Sequence, residues 1–200
     1  MPKALHKLAG KELLVWAEAA CRDATGRAPV VVIGPEMQGA RELLPADVTL
    51  VIQRERLGTG HALLQARDAL RTAGETLLVA TADMALLTAA TLRSVVETQQ
   101  ANAGPLTMLT VVAGEARGFG RVVRDDRGAI ARIVEEREAT PEEKRITELN
   151  ASVYAYRADW LWDHLPRIVP SSNGELYLTD LVGMAAAEGL SIAGVPATDP

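Results

Sequence analysis

The stretch Gln53-Arg54-Glu55-Arg56-Leu57-Gly58-Thr59-Gly60-His61-Ala62 joins an apolar run, Val48–Ile52, to a helical pattern beginning at Ala62. A strand that breaks on a Gly-Thr-Gly turn and opens a helix leaves backbone N–H groups without intrahelical partners. Glycine has no Cβ, so a ligand can come close to the main chain there. The same turn also serves as plain connecting structure. Asp83 is the next candidate, ending another apolar run in Thr81-Ala82-Asp83-Met84-Ala85. In open α/β sheets ligands lie beyond the carboxyl ends of the strands. A carboxylate at that point is placed to hold Mg²⁺, a hard cation that prefers oxygen. A helix or turn cap before Leu86-Leu87-Thr88 accounts for the same residue. His6, His61 and His164 are scattered without metal-ligand spacing, and no Ser/His/Asp or Cys/His set is suggested.

These residues need elements to hold them. Apolar positions Leu13, Leu14, Ala17, Ala20 and Cys21 predict a helix over 11–24. The β-branched run Pro29–Gly34 predicts a buried strand, followed by a helix over 36–44 and a strand over 48–53. A helix over 60–72 then leads to a buried strand over 76–81. This alternation argues for parallel βαβ units. Beyond Gly104 the segments 106–112, 120–124 and 130–135 lie close together, with Asp125-Asp126-Arg127-Gly128 as a turn, and predict an antiparallel insertion. Thr140-Pro141-Glu142-Glu143 has the form of a capping box and predicts a short helix. A strand over 148–156 and a helix over 176–188 complete the reading. No internal hexapeptide period is present.

Two hundred residues, 48% of them hydrophobic, can bury one substantial core, so one domain over 1–200 is the expectation. The net charge of −5 and the lack of a basic cluster argue against a phosphate-tracking nucleic-acid surface. An anionic small substrate needs only a few local cations. Cys21 has no second cysteine to pair with, and its helical position predicts a buried thiol. Neither a signal-like segment nor a long apolar run is present, so the chain reads as soluble and cytoplasmic, with no membrane partner.

Met1-Pro2-Lys3-Ala4-Leu5-His6-Lys7-Leu8-Ala9-Gly10-Lys11, the Gly58-Thr59-Gly60 stretch, Gly118-Phe119-Gly120-Arg121, Ile133-Val134-Glu135 and Gly174-Glu175-Leu176-Tyr177-Leu178-Thr179-Asp180 occur in that order. The series resembles the uridylyltransferase domain of the bacterial bifunctional UDP-N-acetylglucosamine pyrophosphorylase/glucosamine-1-phosphate acetyltransferase, over essentially the whole chain. The resemblance implies a Rossmann-like, glycosyltransferase-A-like α/β domain with a mostly parallel sheet and a small antiparallel insertion. It implies Mg²⁺ as cofactor, with UTP and a sugar 1-phosphate, N-acetylglucosamine 1-phosphate, as partners. Thr81, Ala82 and Asp83 fall on the nucleotide side, with Asp83 on the metal; Ala82 and Ala85 stand where Gly and Pro are usual. Gln53, Gly58 and Thr59 fall on uracil-reading positions, where an amide offers a donor and an acceptor to an imide edge. Lys3 falls where a lysine meets the phosphates. Gly120, Glu135 and Asn150 fall on the sugar side. Glu175 and Tyr177 fall in a matching segment that capping of the 176–188 helix explains.

The family also carries a Leu-x-x-Gly-x-Gly-Thr-Arg-Met loop after a first strand, and a Gly-Val-Asn whose Asn is a second metal ligand. This sequence starts at the residues that would follow the loop and stops at Val195-Pro196-Ala197-Thr198-Asp199-Pro200. The expectation is a domain incomplete at both ends, missing its first strand, and of low or no activity as it stands. Two further readings stay open: a non-catalytic sugar-nucleotide-binding module or remnant, and a related nucleotidyltransferase with another sugar or base. Oligomerisation is also left open.

Overall fold

Two successive left-handed residues, Ala9 at φ 50° and Gly10 at φ 83°, close the first hairpin of the computed structural model. Positive φ at both central residues is what a tight two-residue hairpin turn requires. The structure describes residues 1–84, 86–116 and 118–197; Ala85, Thr198, Asp199 and Pro200, named above, lie outside the described residues. The chain divides into two units. One comprises Met1–Gly74, Ala80–Arg93 and Leu165–Leu178; the other comprises Glu75–Val79, Ser94–His164 and the stretch from Thr179 onward. Among the described residues no helix is long and apolar enough to cross a membrane.

In the first unit, β1 (Lys7–Leu8) pairs antiparallel with β2 (Lys11–Glu12), and α1 (Leu13–Thr25) follows. Helical spacing buries Leu14, Ala17 and Ala20, and Gly26 at φ 68° ends the helix in the left-handed C-terminal position that glycine favours. Cys21 is partly buried, and burial, then Glu18, push its thiol up to about 11. The β-branched runs become β3 (Val30–Ile33) and β4 (Thr49–Ile52), a parallel pair. Their connection is not the expected α-helix but a 3₁₀ run, Pro35–Leu43. Gly39 in the middle of the run disfavours an α-helix there, and buried Met37 and Ala40 lie three apart, which suits three residues per turn. Leu14, Val31, Ile33, Met37, Ala40, Leu44 and Val48 form the core. The predicted helix over 60–72 divides into α2 (Thr59–Gln65) and a 3₁₀ turn, Asp68–Leu70.

In the second unit the elements are β5 (Thr76–Ala80), α3 (Ala89–Ala101) from Ser94 on, β6 (Leu106–Val112), β7 (Arg121–Arg124), β8 (Ile130–Val134), β9 (Glu148–Arg157), α4 (Ala158–His164), α5 (Asp180–Ala187) and β10 (Ile192–Pro196). The sheet runs β10-β6-β9-β7-β8, with β5 also on β9. β6 lies inside this mixed sheet, parallel to β10 and antiparallel to β9, rather than in an insertion. β7 and β8 are the predicted antiparallel hairpin, closed by Asp125, whose Oδ1 accepts from Arg127 and Ala129 N–H at 2.9 Å each. The capping box forms reciprocally: Thr140 N–H donates to Glu143 at 2.8 Å and Glu143 N–H to Thr140 Oγ1 at 3.2 Å. It opens only a 3₁₀ turn, Glu143–Arg145. The helix predicted over 176–188 is observed only as Asp180–Ala187, because the backbone of Leu176 and Leu178 is bonded elsewhere.

Two side-chain groups of this unit yield tests. Tyr154 and Tyr156 stack at 5.6 Å; the Tyr154 hydroxyl donates to Asn150 Oδ1 at 2.8 Å, whereas the buried Tyr156 hydroxyl has no partner among the described residues. Tyr154→Phe is expected to cost about 1 kcal/mol and Tyr156→Phe to cost nothing or stabilise, measured by denaturant unfolding. A loss of that size for Tyr156→Phe would show that its hydroxyl is bonded. The second group is Arg124, which grips Glu148 with two bonds of 2.7 Å and holds that carboxyl below its ordinary 4.5. A carboxyl lowered by folding stabilises above its unfolded pKa, and the contribution fades as pH falls through the folded value. The stability deficit of Arg124→Gln should therefore be full at neutral pH and close in acid below that range; a pH-independent deficit would refute the pairing.

Candidate functional site

The Gly-Thr-Gly turn is held by the chain itself. Leu176 N–H donates to Leu57 O and Gly60 N–H to Leu176 O, both at 2.8 Å. Leu178 N–H donates to Thr59 Oγ1 at 3.0 Å. Gly58 has φ 93°, and a Cβ there would stand 2.5 Å from Leu176 O. Glycine is thus required at position 58 both for its left-handed backbone and for the approach of another strand of main chain. One of the N–H groups the turn leaves without an intrahelical partner, that of Gly60, is spent on Leu176. The segment Gly174–Leu178 is a docking strap for the turn rather than the start of a helix.

Beside this docking lies an open cavity of about 440 Å³, within the first unit and of the size small-molecule sites commonly have. Its lining includes six predicted residues: Lys3, Gln53, Gly58, Thr59, Ala82 and Asp83. Glu36, Arg56, Glu175 and Tyr177 line it as well. Lys3 and Asp83 are exposed, so both can meet a ligand without prior desolvation. Thr81, just beyond β5, is partly buried and is not among the lining residues. Ala82 does two things, packing on the unit's core and presenting its methyl group to the cavity.

Gln53 follows β4 and is oriented by its neighbours. Its Nε2 donates to Gly58 O at 3.0 Å and lies 3.0 Å from His61 Nδ1. A carbonyl can only accept, so the –NH₂ end faces Gly58 and the amide oxygen is the end left uncommitted. Arg56 pairs with Glu36.

Gly120, Glu135 and Asn150 form a separate group in the second unit. Asn150 N–H donates to Gly120 O at 2.9 Å, and a Cβ on Gly120 would come within 2.9 Å of Ile133 Cγ2 and 3.6 Å of Glu135 Oε2. Asn150 is buried. Its Oδ1 accepts from Ser152 N–H at 3.0 Å and from Tyr154. Ser152, at φ 54°, sits in a bulge of β9, where the register against β6 shifts. The backbone donor at Ser152 fixes the Asn150 amide, so this side chain can offer its –NH₂ rather than both ends. Burial raises the Tyr154 hydroxyl, against its bond to Asn150 and with the help of Glu135, so it stays protonated and keeps donating. Glu135 accepts from Thr179 Oγ1 at 3.0 Å. Partial desolvation, then Glu138 and Glu135, push the Asp180 carboxyl up. So acidic a group repels phosphate and suits hydroxyl and N–H donors.

Residues 1–159 match the MobA-like NTP transferase domain. The chain belongs to that family. Its relatives include the bifunctional protein GlmU of Trichlorobacter lovleyi, 38% identical over 99% of this chain and 44% of that protein. The GlmU of Geobacter sulfurreducens is 38% identical over 99% and 42%, and that of Desulfotalea psychrophila 32% identical over 100% and 60%. The chain spans about half the length of these curated relatives.

For an NTP transferase domain the donor set can be tested against Mg²⁺. The lining carries two cations, Lys3 and Arg56, and three carboxylates, Glu36, Asp83 and Glu175. A polyphosphate would meet excess negative charge there, which a divalent cation offsets. Mg²⁺ commonly takes one or two carboxylates and completes its shell with phosphate and water oxygens. The exposed Asp83 fits that role. Among the described residues no group of three or more His, Cys, Asp or Glu side chains forms a metal cage. Of the lining residues that sequence reasoning passed over, Glu36 follows the carboxyl end of β3, where the rule that singled out Asp83 applies equally. Glu175 and Tyr177 were within reach through their matching segment, but capping was the wrong account of it. Gly58→Ala should cost about 2 kcal/mol or more in denaturant unfolding, from strained backbone and the collision with Leu176. An unfolding midpoint equal to that of the unaltered chain would mean the turn is not docked as described.

Proposed function

We propose that this domain transfers a uridylyl group from UTP to N-acetylglucosamine 1-phosphate, giving UDP-N-acetylglucosamine and pyrophosphate, with Mg²⁺. The observation that carries the reading is the cavity that gathers Lys3, Gln53, Gly58, Thr59, Ala82 and Asp83 from separate stretches of the chain. Membership of the NTP transferase family supports nucleotidyl transfer in general, and the base and sugar rest on the residues. The uncommitted oxygen of Gln53 accepts the N3–H of uracil, while the turn at Gly58 and Thr59 borders the base. Lys3 meets the phosphates. Asp83 would hold Mg²⁺, which supplies positive charge against the triphosphate. In the reaction a phosphate oxygen of the sugar phosphate bonds to the α-phosphorus as the bond to pyrophosphate breaks. The chain contributes positioning and charge rather than a covalent intermediate. Gly120, Glu135 and Asn150 are assigned to the sugar, whose hydroxyls and N-acetyl group suit an –NH₂ donor beside carboxylate acceptors.

Isothermal titration of the 200-residue chain with UTP, CTP, ATP and GTP, with and without Mg²⁺, tests the base and the metal. UTP should bind about tenfold or more tightly than CTP, as expected for one hydrogen bond satisfied or left facing a mismatch. Asp83→Asn should remove the gain that Mg²⁺ gives. Equal binding of all four nucleotides would refute the uracil assignment. Pyrophosphate release on adding N-acetylglucosamine 1-phosphate tests the transfer, and UTP binding without release would favour a nucleotide-binding module.

A further inference from the structure

The proposed base reader, Gln53, is not held by Gly58 alone. Its Nε2 lies 3.0 Å from Nδ1 of His61, and His61 Nε2 lies 3.1 Å from the side-chain amide of Gln65. Gln53 spends one amide hydrogen on Gly58 O, and the second points to His61, so Nδ1 must be the acceptor. A neutral imidazole that accepts at Nδ1 carries its hydrogen at Nε2. That hydrogen needs an acceptor in turn, which the oxygen end of the Gln65 amide supplies after a half turn of the group. The result is a directed chain, His61 Nε2–H to Gln65 oxygen and Gln53 Nε2–H to His61 Nδ1, in which every donor meets an acceptor. The opposite arrangement would set the Nδ1–H of His61 against the Gln53 –NH₂.

We infer that His61 is a positioning residue for base selection: its unprotonated Nδ1, with the Gly58 carbonyl, locks the Gln53 carboxamide so that only oxygen is offered to a nucleobase. The inference rests on the cavity taking a nucleoside triphosphate with Gln53 at the base. A locked oxygen favours a base that carries N–H at that edge, as the imides uracil and thymine do, and opposes cytosine, whose N3 is a lone pair. An amide free to turn would serve both. Without His61 one amide hydrogen loses its partner, and the group is held by a single bond.

The test is the ratio of dissociation constants for CTP and for N3-methyluridine triphosphate, each against UTP, measured by isothermal titration on the unaltered chain, His61→Phe and His61→Asn. N3-methylation replaces the imide hydrogen with a methyl group, so that edge can no longer donate. His61→Phe should cut both ratios about tenfold, the scale of one oriented hydrogen bond. His61→Asn, whose side-chain oxygen can stand in for Nδ1, should keep them within about threefold, a rescue that a purely structural role of the ring would not give. A folded His61→Phe with unaltered ratios, or a His61→Asn that loses as much as His61→Phe, overturns the inference. If His61→Phe does not fold, Gln65→Leu decides, since Gln65 is exposed: its ratios should fall about threefold, and unchanged ratios overturn the proposal. An unaltered chain with no preference for UTP would remove the base assignment itself, and this inference with it.

Discussion

The cavity depends on one contact, the docking of Leu57–Gly60 against Leu176–Leu178 by three hydrogen bonds. The bond between Leu178 and Thr59 spans 119 residues of sequence, so the tertiary fold must be in place before the site exists. Each such bond contributes only about 1 kcal/mol net, but a buried backbone donor left without an acceptor costs more. The contact is therefore close to all-or-none. It is possible at all because positions 58 and 60 lack a Cβ: at both, Leu176 O would lie within about 3.1 Å of one. The strap brings Glu175 and Tyr177 to the cavity wall, and the turn carries Gly58 O to the Gln53 amide.

What could be read in the sequence follows from which signals are local. The runs Val30–Ile33 and Leu106–Val112 appear as strands within a residue of their predicted bounds, because β-branched and apolar runs encode burial directly. The hairpin at Asp125–Gly128 and the capping box at Thr140 carry their own side-chain bonds and were equally legible. The failures sit where a distant partner decides. Leu176 and Leu178 have a helical pattern, yet their backbone belongs to Leu57, Gly60 and Thr59, so α5 starts at Asp180. At Pro35–Leu43 the pattern gave a helix but not its pitch.

The candidate site shows the same division. Position after an apolar run singled out Asp83, the family resemblance singled out Gln53 and Lys3, and one cavity is lined by all three. The turn was legible as a place of close backbone approach, but not that Gly60 meets the chain's own Leu176. Nor can a sequence say which end of a carboxamide faces outward. That depends on donors and acceptors that only the fold assembles, such as Gly58 O for Gln53 and Ser152 N–H for Asn150.

The two carboxamides illustrate a common physical device with opposite outcomes. Gln53 is held through its nitrogen, which leaves an oxygen; Asn150 is held through its oxygen, which leaves a nitrogen. In each case the anchoring partner is a backbone group whose role cannot change: the Gly58 carbonyl only accepts and the Ser152 N–H only donates. A free amide would present either end and would lose rotational freedom on binding, whereas a held amide has met that cost in folding. Each backbone anchor is joined by a side-chain partner, His61 for Gln53 and Tyr154 for Asn150, and the two together hold the amide. For Asn150 the anchor comes with a left-handed non-glycine residue, Ser152, and a break in strand register. Strain of this kind persists only where surrounding structure over-determines it, and here the surroundings are a buried tyrosine, two bonds to one oxygen and the main chain of Gly120.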